Sequence, residues 1–289
     1  MTVDNDHLKN AMVLTLLKLP GFGPEKVFRY ISKNNYNFNS CLNNVKDLID
    51  DTSLFSDLMK KTADEIIFKE KKGIKLITIM DGIFPKKLFS SDDKCIFLYY
   101  MGNLELLNNK SIAVVGTRNP NEPFITKGKE ITKRLTNEGF VIVSGLALGC
   151  DTIAHEECLD NGGKTIAVLP SSCDSIVPAS NKELAMRIVD KGGLLVTEYG
   201  SKNEYSKYNN PRRDRIQSFL SDGLIVIQST DSGGTRFAVQ RSIKDRKYVC
   251  ALSGNDFSLI DEYVDSDEKG FSTIVKNIDG NRITQKKLF

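Results

Sequence analysis

The sequence is poor in the residue types from which most metal and redox sites are built. It has two histidines in 289 residues, too few for a histidine-based metal cluster. Its six cysteines include no Cys-x-x-Cys pair, and several lie in apolar runs such as the one around Cys250. We therefore predict buried, reduced thiols in a cytoplasmic protein rather than disulfides or a zinc site. We expect neither a metal nor a cofactor.

Long hydrophobic runs are also missing, and no charge of one sign dominates. The apolar runs are far shorter than the roughly 20 residues that span a bilayer. Asp4 and Asp6 make the first residues acidic, so we expect no signal peptide and no membrane partner. The net charge is +3, and such a value neither requires nor excludes nucleic acid, because the distribution of charge decides this.

Residues 1–72 are predicted to form a small helical domain. Apolar residues recur at helical spacing from Leu8 to Leu19, and this pattern ends at a Pro-Gly pair. The turn around Gly21 and Gly23 resembles the helix-hairpin-helix, or SAM-like, DNA-binding turn, whose glycines allow a close approach to phosphate. The same hairpin often only packs two helices, so both interpretations stay open. Further helices are predicted near 24–32, 41–49 and 53–72.

Residues 73–256 are predicted to form an α/β domain with a Rossmann-like, mostly parallel sheet and helices on both faces. Two strand-like runs, near 75–80 and 95–100, come first. From Ser111 onward, short apolar runs alternate with helical patterns, which is typical of βαβ units. Residues 257–289 are predicted to be a polar tail. Strands are predicted near 111–116, 140–144, 165–169, 194–198, 223–228 and 247–252, and helices near 123–138, 151–161, 181–191, 212–221 and 233–245.

The loops after the first two strands of this region carry residues suited to phosphate binding. Gly116, Thr117 and Arg118 offer a close backbone approach, a hydroxyl and a guanidinium. A tight turn with a surface arginine explains the same residues equally well. After the second strand, Asp151 can cap a helix that carries His155 one turn later. No nucleophile accompanies these two residues, so we predict a structural role and no catalytic site.

Arginines are concentrated where a later helix is predicted to begin. Arg212, Arg213 and Arg215 follow Pro211, and positive charge at a helix N-terminus opposes the helix dipole. We therefore expect an anionic ligand there, with Asp214 neutralising one arginine. The last long helix is opened by a further loop with backbone N–H groups and a positive charge. Its residues are Ser232, Gly233, Gly234, Thr235 and Arg236.

Taken in order, these motifs resemble the DNA-processing protein A family, also called Smf. The resemblance covers about residues 8 to 255. It rests on Leu-Pro-Gly-Phe-Gly near the start, Val-Val-Gly-Thr-Arg ending at Arg118, and Ser-Gly-Leu-Ala-Leu-Gly-Cys-Asp ending at Asp151. It continues with Pro-Arg-Arg-Asp-Arg ending at Arg215 and with the Ser-Gly pair at 232 and 233.

The resemblance implies a protein without enzymatic activity that binds single-stranded DNA at the carboxyl ends of the strands. Members of this family protect incoming single strands during natural transformation, help to load the RecA recombinase and usually form homodimers. On this basis Asp151 and His155 would hold the second loop. The DNA-binding residues that the resemblance implies are Gly116, Thr117, Arg118, Ser144, Gly145, Asp151, His155, Arg212, Arg213, Arg215, Ser232, Gly233, Gly234 and Arg236.

This sequence departs from the family pattern inside the expected site. Leu148 replaces an arginine, Pro170 a glycine and Asp214 an asparagine, and no winged-helix segment follows the sheet region. One phosphate contact fewer should weaken binding and lower its salt dependence by about one unit of slope. A nucleotide-binding enzyme or sensor on the same fold, such as a nucleotide N-glycosidase, is the alternative. Against it, Ser232 stands where the related phosphoribohydrolases have the first proline of their signature.

Overall fold

The computed structural model describes residues 4–49, 51–89, 92–206, 208–231 and 233–255, together with 272, 275 and 276. The chain divides into two compact units, Met1–Met101 and Gly102–Phe289. The predicted domain boundary after residue 72 stays a prediction, because the first unit also contains a strand pair that follows the helices. The predicted tail at 257–289 lies almost entirely outside the described residues.

The first unit begins with four helices, as the apolar spacing predicts. Helix α1 packs against α4. Three of the helices are capped by a side chain that accepts a backbone N–H in the first turn: Asp4 for α1, Asn37 for α3 and Asp51 for α4. Such caps satisfy N–H groups that have no partner within the helix. The helices are α1 (Asn5–Lys18), α2 (Pro24–Lys33), α3 (Phe38–Asn44) and α4 (Thr52–Glu70).

The glycine turn between α1 and α2 lies where the hairpin motif predicts it. Gly21 has a φ of +75°, and Pro24 begins α2, a position where its missing N–H costs nothing. Phe22 is buried, and the Lys26 ammonium lies 3.7 Å from its ring centroid. The unit ends with an antiparallel pair of strands, β1 (Lys75–Thr78) and β2 (Phe97–Gly102).

The second unit alternates strands and helices, which confirms the predicted Rossmann-like α/β architecture. Each strand from β3 to β7 is buried along its whole length, as expected for a parallel sheet covered on both faces. The strands are β3 (Ser111–Val115), β4 (Val141–Ser144), β5 (Thr165–Val168), β6 (Leu194–Thr197), β7 (Gly223–Val226) and β8 (Tyr248–Ala251). The helices are α5 (Glu122–Asn137), α6 (Cys150–Asp160), α7 (Lys182–Asp190), α8 (Asn209–Leu220) and α9 (Thr235–Lys244).

The order of these strands determines where a ligand can bind. They lie parallel in the order β6-β5-β4-β3-β7-β8. After β3, the chain forms β4, β5 and β6 on one side of β3. It then returns to form β7 on the other side of β3. In open α/β sheets, the loops at the carboxyl ends of two such strands diverge and leave a crevice. The fold thus places a crevice between the ends of β3 and β7.

Alternate residues of β3 fill the two cores of this unit. Ile112 and Val114 belong to a cluster with residues of α5 and α6, whereas Ala113 and Val115 pack with residues of α9. This alternation is the period of two that a strand imposes on its side chains. All six cysteines are buried, and the prediction that their thiols are reduced stays a prediction. Within the described residues, no helix is long and apolar enough to cross a membrane.

Helix α8 differs from the prediction in its starting point. It begins at Asn209, three residues before the predicted start at 212. The Asn209 side-chain amide donates to the carbonyl oxygens of Pro170 and Glu204, at 3.0 and 2.9 Å. These contacts fix the helix start earlier in the chain and leave Pro211 in the first turn, where it is tolerated. Arg213 and Arg215 therefore lie beyond the first turn, so the expected conflict with the helix dipole is much weaker.

Candidate nucleic-acid interface

The loop after β3 is held tightly on both sides. The Thr117 N–H donates to the carbonyl oxygen of Gln228 at 2.7 Å, and the Cys150 N–H donates to the carbonyl oxygen of Thr117 at 3.1 Å. These bonds tie the loop to the end of β7 and to the start of α6. The next residue, Arg118, is exposed. Its backbone is therefore fixed, while the residue as a whole remains accessible to solvent.

The turn after β4 packs directly against the Arg118 loop. The Asp151 Oδ2 atom accepts the N–H groups of Gly145 and Ala147, at 3.1 and 3.2 Å. Gly149 has a φ of +73°, and a Cβ there would lie 2.5 Å from the carbonyl carbon of Arg118. Only glycine accommodates both conditions. Asp151 therefore holds the second loop, as the resemblance implies.

Arg213 lies beneath these two loops and is 7% exposed. Its Nη2 atom is 3.6 Å from Asp151 Oδ2, and Nη1 donates to Gln217 Oε1. Its Nε atom lies 3.2 Å from Asp214 Oδ1, an ion-pair distance without an aligned hydrogen bond. A Cβ on Gly145 would overlap the Arg213 guanidinium, so the glycine makes room for it. Arg213 thus serves as an internal support of the site.

Asp214 brings a second carboxylate to the site. Burial raises the pKa of Asp214 to about 6, and the charge of Asp151 adds to that effect, whereas Arg213 and Arg118 oppose it. The side chain is 14% exposed. Asp214 is therefore mostly ionised at neutral pH, but it becomes protonated near pH 6, a higher pH than an ordinary aspartate requires.

The loop after β7 completes the site. The Gly233 N–H donates to the carbonyl oxygen of Thr230 at 2.9 Å and closes a turn just before α9. In the first turn of α9, Phe237 is 38% exposed. The Arg236 guanidinium lies 4.9 Å from the centroid of that ring, within cation–π distance. Ser232, which the sequence predicts to bind DNA, lies outside the described residues.

These three loops and α8 enclose a cavity of about 410 Å³, within the size range of small-molecule sites. It lies at the carboxyl ends of β3 and β7, at the crevice expected from the strand order. In the lining that the structure describes, the ionisable residues are Arg118, Arg213, Asp151 and Asp214, so their charges cancel at neutral pH. The predicted site residues that line the cavity are Gly116, Thr117, Arg118, Asp151, Arg213, Gly233 and Gly234.

Comparison with known proteins identifies the family. A family profile described as DNA recombination-mediator protein A matches residues 75–278, more than half of the chain. The chain belongs to this family. Its sequence is 34% identical over 203 residues to the DNA processing protein DprA of Streptococcus pneumoniae, covering 70% of this chain and 71% of that protein.

Two solved structures of family members share the fold. The crystal structure of DprA from Streptococcus pneumoniae has a TM-score of 0.68 at 28% identity and covers 96% of this chain and 94% of its own. DprA from Helicobacter pylori, whose structure is described for its single-stranded DNA binding mode, has a TM-score of 0.62 at 26% identity. That match covers 70% of this chain and 96% of the other. The chain spans between 52% and 71% of the length of the first curated relatives that it matches.

In this member of the DNA recombination-mediator protein A family, other predicted site residues are placed away from the cavity. Arg215 is 6% exposed, and its Nη2 atom lies 2.7 Å from Glu198 Oε1. Its Nη1 atom donates to the Arg212 carbonyl oxygen at 3.2 Å. Arg215 therefore links α8 to the carboxyl end of β6. Arg212, in contrast, is exposed. The described lining of the cavity includes neither Arg212 nor Arg215. It also lacks Ser144, Gly145, His155 and Arg236.

Ser144 and His155 are structural in this family member. The Ser144 hydroxyl donates to the Val114 carbonyl oxygen at 2.6 Å, which ties β4 to β3. His155 Nδ1 is 2.7 Å from the Thr165 hydroxyl at the amino end of β5, the edge of the sheet opposite the cavity. Burial, aided by the charge of Arg213, lowers the pKa of His155 to about 3. The expectation that His155 holds the second loop is thus replaced by a neutral link between α6 and β5.

Phe237 lines the cavity, although it is not among the site residues predicted from the sequence. The available signal was an aromatic residue in the first turn of a helix that follows a glycine turn. Of the other aromatics near the predicted loops, Tyr208 is 71% exposed before α8, and Phe124 packs against the core of the second unit. Neither of these two lies in the described lining of the cavity.

Proposed function

We propose that this protein binds single-stranded DNA at the cavity between β3 and β7 and acts as a recombination mediator in natural transformation. Membership of the family supports the role, and the described binding mode of the Helicobacter pylori relative supports the ligand. The observation that carries the proposal is the position of Arg118. It is an exposed arginine on a loop tied to β7 and α6, and it lines the crevice where open α/β sheets bind ligands.

Arg118 suits a phosphate of the DNA backbone. A guanidinium can donate two parallel hydrogen bonds to phosphate oxygens, and the backbone of Arg118 is held by the bonds of Thr117 to β7 and α6. Arg212 and Arg236 are also exposed, and each adds positive charge next in sequence to residues that line the cavity. A flexible strand can follow such a surface, whereas the mouth of a single cavity gives a rigid duplex little to contact.

The proposal extends to the protein's partners. RecA loading and homodimer formation are what the family resemblance implies, and a recombination role would place the protein in the cytoplasm with RecA. Binding and handing over a strand requires no catalytic step. A RecA filament-assembly assay on strands coated with single-strand binding protein tests the loading function, and sedimentation analysis tests the dimer.

The binding proposal is tested by fluorescence anisotropy with a labelled oligo(dT) at two salt concentrations. Arg118→Ala should weaken binding about tenfold, the low end for hydrogen bonds to charged groups, because Arg118 is exposed. It should also reduce the slope of log K against log salt by about 0.7. Lys133→Ala, an exposed charge on α5 outside the described lining, is the matched control and should change little. Equal effects of the two variants would contradict the proposal.

A nucleotide N-glycosidase remains a second candidate, because a carboxyl with a pKa of about 6 faces a nucleotide-sized cavity. Such a group can donate a proton to a leaving base. Chromatography of nucleotides incubated with the protein would detect released base. In a thermal-shift screen, a ligand at 100 times its Kd should add about 2.7 kcal/mol to stability. Base release that is abolished by Asp214→Asn would favour this candidate over DNA binding.

A further inference from the structure

Positive charge is concentrated in the first unit, where α4 ends and the chain turns into β1. Residues 68–75 contain four lysines and one glutamate, a net charge of +3 that equals the net charge of the whole chain. Lysines near the end of a helix interact favourably with its dipole, which accounts for Lys69 and Lys71. The dipole does not account for Lys75, which is exposed at the start of β1.

An exposed aromatic ring lies among these lysines. Phe68, in the last turn of α4, is 60% exposed, and the Lys72 ammonium lies 4.8 Å from the centroid of its ring. Lys71, between them in the chain, is also exposed. Surfaces that bind single-stranded nucleic acid combine these two features, because rings stack on bases and cations bind the backbone phosphates.

The carboxylates beside this surface on α4 are largely engaged elsewhere. Glu65 Oε2 lies 3.0 Å from Lys18 Nζ, and Glu70 Oε2 lies 2.8 Å from His7 Nε2. Asp64 is the remaining carboxylate in the last two turns of this helix. A polyanion that approaches the end of α4 would therefore meet more positive than negative charge.

From these three observations we propose that Phe68, Lys71, Lys72 and Lys75 form a second contact surface for single-stranded DNA. The lysines bind phosphates, and the Phe68 ring stacks on one base. A duplex keeps its base faces stacked inside, and an acidic peptide has none, so the ring favours a single strand. The inference rests on the proposed function for the identity of the ligand and adds a site in the first unit, whereas the described lining of the cavity belongs to the second.

The test measures the anisotropy of labelled oligo(dT) with the Arg118→Ala protein, in which the contribution of the cavity is reduced. In this background, Phe68→Leu should weaken binding by at least about fivefold, the low end for stacking of one base, and Phe68→Tyr should keep the affinity. Lys71→Ala combined with Lys75→Ala should lower the slope of log K against log salt by about 1.4, since each lysine neutralises one phosphate of a single strand.

Lys33→Ala combined with Lys46→Ala is the matched control, because both lysines are exposed in the first unit outside this surface. Thermal unfolding checks that each variant is folded. Unchanged affinity of Phe68→Leu, or an equal change of slope in the two lysine pairs, would overturn the second surface. The proposed function would then still stand if Arg118→Ala alone weakens binding.

Competition experiments test the choice of ligand for this surface. An unlabelled single strand should displace oligo(dT) from the Arg118→Ala protein more effectively than duplex DNA or polyglutamate. Equal displacement by all three would overturn the assignment to a single strand. Failure of the wild-type protein to bind oligo(dT) at low salt would refute the proposed function and the second surface with it.

Discussion

Replacing Asp214 with asparagine is expected to strengthen the binding of single-stranded DNA. The carboxylate lies beside Arg213 and is close enough to Arg118 for the two charges to interact. It therefore opposes the approach of a phosphate to the mouth of the cavity. Asparagine has nearly the same shape and removes the charge without opening a void.

The size of the effect follows from Coulomb's law. For a phosphate about 6 Å from the carboxylate, the repulsion is about 0.7 kcal/mol at the dielectric constant of water and about 3 kcal/mol at an effective dielectric constant of 20. These energies correspond to a gain in affinity of about threefold to 100-fold. Glu183→Gln removes the same charge from an exposed position on α7 and should change affinity much less, because salt screens it.

The same carboxylate should make the wild-type affinity depend on pH. Because the pKa of Asp214 is raised to about 6, lowering the pH from 7.5 to 5.5 protonates it and removes the repulsion. Oligo(dT) is the suitable probe, since thymine does not titrate in this range. Wild-type affinity should rise as the pH falls, and the Asp214→Asn variant should already bind tightly at pH 7.5. A variant that binds more weakly at pH 7.5, or a wild type whose affinity does not change with pH, would refute this reasoning.

The free energy of unfolding should also depend on pH through Asp214, and the raised pKa of this group sets the direction of the change. A carboxyl whose pKa rises from 3.8 to about 6 on folding holds its proton more tightly in the folded state. Its contribution to stability is therefore fully present below pH 4 and is lost as the pH rises to about 6, by about 3 kcal/mol in total. Chemical denaturation of Asp214→Asn should lack this decrease. A decrease of the same size in wild type and variant would assign it to other groups.

Two further substitutions test the internal supports of the site. Gly145→Ala should destabilise the protein by roughly 1–3 kcal/mol, because the added methyl group collides with Arg213, whereas Gly234→Ala, with open space around it, should be nearly neutral in chemical denaturation. Glu198→Gln removes the carboxylate charge that faces the buried Arg215 and should cost up to about 3–5 kcal/mol, while the folded fraction keeps its affinity for DNA in anisotropy titrations. A stable Gly145→Ala protein, or a DNA-binding defect confined to Glu198→Gln, would contradict these roles.

The strands of the sheet could be predicted from the sequence because they depend on local patterns. Short apolar runs between helical segments predict buried parallel strands, and the small residues after them predict the tight loops at 116–118 and 145–149. Asp151 was likewise predictable as the residue that holds its loop. The strand patterns and the contacts of Asp151 lie within a few residues along the chain, whereas the pairing of β3 with β7 that places the crevice does not.

Which arginines are buried in ion pairs could not be predicted, because their partners are distant in sequence. Arg213 meets Asp151 from another loop, and Arg215 meets Glu198 at the end of β6. Only the folded chain brings these charges together and removes them from solvent. The place of Phe237 in the cavity lining could not be predicted for the same reason. Helical periodicity places an aromatic residue on a helix but does not show that a cavity adjoins it.

Ultraviolet crosslinking of a 5-bromodeoxyuridine oligonucleotide, followed by mass spectrometry of the crosslinked peptides, tests the central claim most directly. Binding at the cavity between β3 and β7 predicts adducts on the peptide that contains Phe237, and predicts that unlabelled single strands compete them away more effectively than duplex. Adducts confined to the helices of the first unit, around Gly21 and Gly23, would show that the strand binds at the helical turn and would contradict the site described for the second unit.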